Sequence, residues 1–492
     1  MVNIDSLAGI FDSHLEWLAV TESGRAITVR RDEIEIIPRG SGLSIGFLRD
    51  SGYAVSRINE FSYDDGEVRL DLTGRFGQTE ESVRFVPRTS AAELAENILL
   101  ARLTKANEAA EAALDAFHGH LIKSVDLNRD NGRLAQIMLA DKRGGKAALM
   151  TDVTATVRPE TLLASALLWA DRLAARKREP IDNVTIAAAG PRTGELRRLC
   201  ALLNVRTRKR LNILKLLDAE KDQKAGFLRH FTPADLWRAK PRKMTLPEEF
   251  AVSRTAGKII AMAPDKIDII HSRHGETLRF QGLPFVRVRS ISGREQAWYG
   301  IEGEKRALDD ASRNDFHDLL DELIRYRDHE TPSKRHRLYK LASETWLESI
   351  LRRNIRALDP NLILSPIHSQ FRASADKIDL LALRRDGRLV IIEIKTSPDR
   401  ETIFQAADYW RKIELRRRRG ELAKLRLFGD MEIADRPALI YIVAPALSFH
   451  HDTERFARML IPEIELWRWE LHEDWRKEIR VIARRNYFEQ RM

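Results

Sequence analysis

The chain has 492 residues, 43% hydrophobic and 32% charged, with a formal net charge of +10; this length and composition lead us to expect about two to four globular domains and polyanionic partners such as nucleic acid. Cys200 is the single cysteine, which excludes an internal disulfide and a cysteine-cluster metal site. No apolar run approaches the roughly eighteen residues of a membrane helix, and the start MVNIDSLAGIFDSHLEW lacks the basic opening of a secretory signal, so a cytoplasmic protein without a membrane partner is expected.

In chain order, residues 11–87 alternate short apolar and polar runs between Gly and Asp turns, a β-rich pattern, and 90–117 follow as a helix. An α/β stretch comes next, with strands expected at 134–139, 147–153 and 184–189. Residues 218–248, rich in Lys, Asp and Pro, read as a linker with one short helix at 233–240. A second β-rich stretch, 249–303, precedes a helix over 308–355 and strands at 378–383, 389–394 and 438–443. The implied domains are a β-rich module (1–90), an α/β module (91–217), the linker (218–248), a second β-rich module (249–305), a connecting helix (306–335) and a second α/β module (336–492). The fold class is therefore multidomain, mixing α+β and α/β, with helices expected on both faces of each mixed central sheet.

The order of these parts suggests that the chain is written twice. GRAITVRRDEIEII (24–37) aligns with GKIIAMAPDKIDII (257–270), both reading as strand–turn–strand. At the same offset EAALD (111–115) lies opposite ETWLE (344–348), and LIKSVDLN (121–128) opposite NIRALDPN (354–361). Further on, the second copy gains eight residues, read as one short strand near 362–365. TDVTATVRPETLLASALLWADRL from Thr151 then matches IEIKTSPDRETIFQAADYWRKI from Ile392 without a gap, anchored by Glu160 with Glu401 and Trp169 with Trp410.

Three charges sit where a buried hairpin tolerates them least: Asp379, Glu393 and Lys395. Asp386-Gly387 marks the turn between two apolar strands, and Glu393 and Lys395, two apart, leave the same face of the sheet, with Asp379 brought beside them. A structural ion triad is the alternative reading, although such triads seldom improve on apolar packing. Carboxylates in this pattern suit a hard divalent cation: Asp379, Glu393 and the main-chain carbonyl of Ile394 offer three oxygens, and Glu344 or Glu348, one turn apart on a helix, a fourth. Lys395 is expected to orient or deprotonate a water or to offset phosphate charge, with a pKa depressed by burial and neighbouring cations. Gln405 and Tyr409 share a helical face beside it. The aligned positions in the first copy are Met138, Asp152, Thr154, Ala164 and Leu168, which leaves one carboxylate without partners.

Glu344 to Tyr409 resembles the PD-(D/E)xK nuclease superfamily, specifically its RecB-type and NucS-type branch, through a helical glutamate (Glu344 or Glu348), Asp379, Glu393-x-Lys395 and Gln405-x-x-x-Tyr409. ADKI (375–378) stands where many members carry a Gly before the Asp. The resemblance implies a restriction-endonuclease-like fold and a catalytic set of Asp379, Glu393, Lys395, Glu344, Glu348, Gln405 and Tyr409. It also implies Mg2+, replaceable by Mn2+, and cleavage of DNA, with RNA left open, in repair or defence. NucS-type enzymes work as homodimers, so a homodimer or an internal pseudo-dimer is expected, with one degenerate half. The other reading is a non-catalytic nucleic-acid-binding or scaffolding protein with a nuclease-like fold. Lys334, Arg335, Arg337, Arg416, Arg417, Arg418 and Arg419 are the expected phosphate contacts, with solvated helix faces as their alternative. His450-His451 reads as a loop, Trp467, Trp469 and Trp475 as one face of a terminal strand, and the lack of a G-x-x-x-x-G-K-[ST] motif argues against a nucleotide-driven motor.

Overall fold

EVRLDLT (67–73) buries Val68, Leu70 and Leu72 and turns the residues between them outward, the period of a strand with one covered face. The structure, a computed structural model, describes residues 4–487 except 22–25, 41, 50–51, 65, 74–79, 89–90, 178–179, 191, 217–224, 239–250, 273–274, 292–293, 303–304 and 365–378. It divides into two compact units, Met1–Arg102 and Leu103–Met492.

In the first unit a helix, α1 (Ile4–Asp12), precedes seven strands: β1 (Glu16–Thr21), β2 (Ala26–Arg30), β3 (Glu35–Arg39), β4 (Gly42–Arg49), β5 (Gly52–Asp64), β6 (Glu67–Thr73) and β7 (Glu80–Pro87). They form one antiparallel sheet in the order β2-β1-β7-β6-β5-β4-β3. Leu7 and Phe11 of α1 join its core, where the Phe11 ring lies 5.1 Å from both Trp17 and Phe85. The division between the units falls within α2 (Ala91–Leu114).

The second unit holds three sheets. The first runs through β8 (His120–Leu127), β9 (Leu134–Asp141), β10 (Lys146–Asp152), α3 (Pro159–Ala174), β11 (Val184–Ala189), α4 (Arg192–Ala201), α5 (Val205–Arg208), β12 (Leu211–Leu216) and β13 (Gly226–Leu228). β13 and α6 (Pro233–Leu236) lie within the stretch of linker composition, yet β13 completes this sheet and Leu236 is buried in its core; most of the remaining linker falls outside the described residues.

The second sheet is a five-stranded antiparallel meander of β14 (Ile267–Ser272), β15 (Gly275–Phe280), β16 (Leu283–Ile291), β17 (Arg294–Tyr299) and β18 (Arg306–Ala307), preceded by α7 (Arg254–Ile260). The helix expected over 308–355 is three: α8 (Arg313–Tyr326), α9 (Arg337–Lys340) and α10 (Ser343–Arg353). The breaks coincide with the Thr331-Pro332-Ser333 stretch and with Ala342, whose φ of +47° no continuing helix allows.

The third sheet comprises β19 (Leu362–Leu364), β20 (Leu380–Arg384), β21 (Leu389–Ile394), β22 (Leu439–Pro445), β23 (Glu465–Leu471) and β24 (Val481–Asn486), with α11 (Thr402–Arg418), α12 (Glu421–Lys424) and α13 (Thr453–Ala457) between them. Residue 378, expected to open β20, lies outside the described residues. Every residue of β21 and β22 is buried, as expected of central strands covered on both faces. At the β20–β21 turn Gly387 has φ +79°, and a Cβ there would stand 2.9 Å from the Glu432 carbonyl oxygen.

The two six-stranded sheets have the same strand order and the same pattern: antiparallel, antiparallel, parallel, parallel, antiparallel. They also share one apolar core, in which α3 and α4 of the first meet α11 and α13 of the second, with Trp169 and Trp410 both buried. Where α4 and α13 end, Leu203 and Leu460 form an antiparallel bridge, flanked by Asn204 N–H donating to Met459 O (2.8 Å) and Ile461 N–H to Leu202 O (2.9 Å).

Part of the aligned sequence repeat does not survive in three dimensions. Residues 254–260 are helix α7, so 257–270 is helix–turn–strand, unlike 24–37; the Ser253 cap bonded to Ala256 N–H and the burial of Ala256 and Ile259 decide this against the weak helix propensity of Thr255, Gly257 and Ile260. Residues 121–127 lie in β8 whereas 355–357 form a single 3-10 turn. β19 is therefore the positional counterpart of β8, not an added strand.

Candidate active site

Successive residues of β21 face opposite ways. Val390, Ile392 and Ile394 join the core beneath α10, whereas Leu389 and Ile391 join the core beneath α11, and Glu393 continues that second series. The hairpin register pairs Leu380 with Ile392, so one step on Asp379 is level with Glu393, and the Ile394 N–H donates to Asp379 Oδ2 at 2.9 Å. Glu393 is 3% exposed; its Oε1 lies 3.1 Å from Lys395 Nζ, while Oε2 is buried without a hydrogen-bond partner among the described residues. Lys395 Nζ also donates to Gln405 Oε1 of α11 (3.2 Å) and pairs with Asp399 Oδ2 (3.3 Å). Tyr409, one turn beyond Gln405, is half-buried with Lys412 Nζ 5.5 Å above its ring.

Glu344 enters from the first turn of α10, which is tied to the end of β21 by the Ser343 and Thr396 hydroxyls, 2.6 Å apart. It lines a cavity of about 560 Å3 with Lys395, Asp399, Glu401, His450 and Arg158. Glu348 points elsewhere. It is buried against the meander, 3.3 Å from Arg279 Nη1 and 3.8 Å from Arg352 Nη1, so the two glutamates read as equivalent from spacing are separated by what each faces.

Surplus negative charge governs the titration of this cluster. Burial and the nearby Asp379 raise Glu393 well above the ordinary carboxylate range. Burial acts to lower Lys395, but Glu393, Glu344 and Asp399 outweigh it and hold the ammonium above its usual value. Burial thus acts on this lysine as expected from sequence, but in the metal-free chain the acids around Nζ outweigh it. Burial and Asp399 push Glu401 up to about 7.

Asp399 and Arg158 carry no motif of their own in the sequence, their nearness to the aligned Glu401 and Glu160 being the signal that could have drawn attention to them; Glu401 was read only as an alignment anchor and His450 only as part of a loop. His450, His451 and Asp452 bring possible ligand atoms within 4.8 Å of one another, and Asp452 is also flanked by Arg400 and Arg455, each 3.8 Å away.

The basic run of α11 has inward duties. Arg416 is buried and pairs with Glu421 (2.9 Å), Arg417 pairs with buried Glu414 (2.8 Å) and with Asp435, Arg418 lies 4.0 Å over the Trp237 ring, and Arg419 donates to Trp237 O (3.4 Å). The side chains of Arg416 and Arg417 are themselves buried and so are not presented to an external phosphate, and the buried Glu414 carboxylate requires compensation. Lys334 and Arg335 are exposed, and Arg337 is exposed and paired with Glu302. Trp469 and Trp475 pack into the core, Trp475 beyond the end of its strand with its ring 6.2 Å from Trp346, and β24 follows them.

At the equivalent edge of the first six-stranded sheet, Asp152 has its oxygens occupied. Oδ1 accepts from Thr154 N–H and Oγ1–H (both 2.8 Å), and Oδ2 accepts from Val157 N–H (2.9 Å) and Arg192 Nη1 (2.6 Å). The register sets Leu134, not Met138, opposite Asp152. The connections 142–145 and 385–388 are equal in length, but between these positions and the turn each strand of the β9–β10 hairpin is two residues longer than its counterpart, which displaces the sequence alignment by four.

No protein-family model matches the chain, and no curated protein matches it. A solved structure described as "Structure of EndoMS in apo form" is similar to it with a TM-score of 0.13 and 13% sequence identity, over 38% of this chain and 85% of that one.

Proposed function

We propose that the chain is a metal-dependent DNA endonuclease with one active site, at the end of β21. The observation that carries this reading is the buried Glu393 Oε2, which lacks a partner among the described residues and shares a sheet face with Asp379 and Lys395. A buried carboxylate oxygen left open is costly unless something positive completes it, and an all-oxygen set suits Mg2+, with Mn2+ as a substitute. Asp379, Glu393, the Ile394 carbonyl and Glu344 would hold the ion. Once bound, it supplies Lewis acidity and an acidified water.

The chain's own residues do the rest. Lys395, paired with Glu393 and Asp399, is placed to donate from Nζ to a non-bridging phosphate oxygen. Gln405 fixes Nζ in place. Glu344 closes the cluster from the helix side, and exposed Lys334 and Arg335 are available to the backbone of the nucleic acid. The common strand order of the two six-stranded sheets supports a duplicated ancestry, with the first copy, its Asp152 saturated by Arg192 and backbone amides, as a non-catalytic half.

Cleavage of a panel of labelled DNA structures with magnesium, manganese or chelator, wild type beside Asp379→Ala, tests the proposal. Metal-dependent products lost in the variant are expected; products that persist in chelator or in the variant would refute it.

A further inference from the structure

The cavity at the end of β21 has a wall from the other α/β module. Arg158, the residue ahead of α3, lines it together with Glu344, Lys395, Asp399 and Glu401. Its side chain is exposed, and its charge is felt by both Glu160 and Glu401. In the gapless match that pairs Glu160 with Glu401, Arg158 falls opposite Asp399, so at the mouth of the site the first module presents a cation where the second has an acid.

The seam fixes this position. The start of α3 is held by the common core with α11, Arg400 reaches across to Asp130 (3.4 Å), and Arg455 pairs with Asp171. A phosphodiester approaching Lys395 passes Glu344, Asp399 and Glu401, three acids against Lys395 and Arg400, the latter also lining the cavity but turned to Asp130 and Asp452, which leaves a residual repulsion. A guanidinium can offset that repulsion and grip two phosphate oxygens at once.

We propose that Arg158 reaches across the seam to hold a backbone phosphate of the nucleic acid next to the scissile bond, so that the non-catalytic half supplies a positioning residue to the catalytic half. This rests on the nuclease reading above.

The experiment measures DNA affinity across a salt series in the Glu393→Gln background, with Arg158, Arg158→Ala and Arg158→Lys, and cleavage kinetics and pH profiles in the wild-type background. The Ala variant is expected to bind about tenfold more weakly, with a salt slope reduced by roughly 0.9, the value of one released counterion on duplex DNA. The Lys variant recovers the slope and part of the affinity, KM rises more than kcat falls, and thermal stability is unchanged. An unaltered affinity and slope overturn the inference while leaving the nuclease reading intact. So does an unaltered slope with a displaced pH profile, which would assign Arg158 to neutralising Glu401. Wild-type protein that neither binds nor cuts DNA removes the nuclease reading and this inference with it.

Discussion

Glu393 combines two properties that pull apart: it is almost fully buried, and one of its oxygens lacks a partner among the described residues. Replacing it with Gln should therefore abolish cleavage, with a loss of at least about a hundredfold, while leaving the melting temperature of the metal-free protein equal to or above that of wild type. The pH dependence follows from the same group. Its folded pKa lies above the unfolded value, so the folded state binds the proton more tightly. The stability this lends is complete below the ordinary glutamate pKa of about 4.3 and is lost as pH rises through the folded value. Melting in chelator should fall with pH between 5 and 9 more steeply for wild type than for Glu393→Gln, and magnesium uptake should release protons; parallel curves would contradict this. Asp379, Glu393 and Lys395 were legible in the sequence because charge in an apolar hairpin is conspicuous. The orientation of Glu348 was not, because a helix turn brings two glutamates to one face without revealing that Arg279, far off in the chain, waits for one of them.

Among elements, α10 is held at its start by a buried cation. Arg327, fully buried, donates to the carbonyls of Phe280, Gln281, Leu338, Leu341 and Ala342 and lies 4.7 Å over the Trp346 ring. It thereby joins the meander to the left-handed residue that starts the helix bearing Glu344. Arg327→Ala strands several buried carbonyls and should cost about 3–5 kcal/mol in denaturant unfolding. Cleavage by the fraction that stays folded should also drop, because Glu344 loses its fixed base; a loss under about 1 kcal/mol would show that water replaces the guanidinium. β9 to β11 and β20 to β22, with β19 and β23, were readable from their apolar runs and turns, whereas β8, β12, β13 and β24 were not. The junctions were not: Arg327 sits in a helical pattern like any surface arginine, and the breaks around α9 depend on contacts with the meander. The basic run in α11 misled for a related reason. Charge density says nothing about direction, and Arg416 and Arg417 answer Glu421 and Glu414 inside the fold.

For the whole molecule, the second unit carries two like sheets and, among the described residues, one complete carboxylate–lysine cluster, so the proposed nuclease should make one cut at a time per chain. Supercoiled plasmid should pass through an open-circular nicked form, and linear product appearing at first order in protein without that precursor would count against one site per chain. Cys200, in the core common to both sheets, offers an independent readout: burial pushes its thiol up to about 12. The native protein should not react with a thiol reagent at pH 8, and one thiol per chain should appear only as that core opens. The alignment of the two halves was partly a guide to the two like sheets, since the β10–α3 and β21–α11 segments match without a gap. It failed in the β-rich stretches, where short alternating runs align by composition and helix α7 is mistaken for a strand.

The Leu203–Leu460 bridge brings together two stretches that are neighbours in space and 257 residues apart in sequence. A contact of this kind between separate subunits would be governed by mass action and would come apart on dilution. Here both edges belong to one polypeptide, so the encounter is unimolecular and its effective concentration does not depend on how much protein is present. Specific activity should accordingly stay level from micromolar to nanomolar protein, a range over which an assembly of separate halves would be expected to fade.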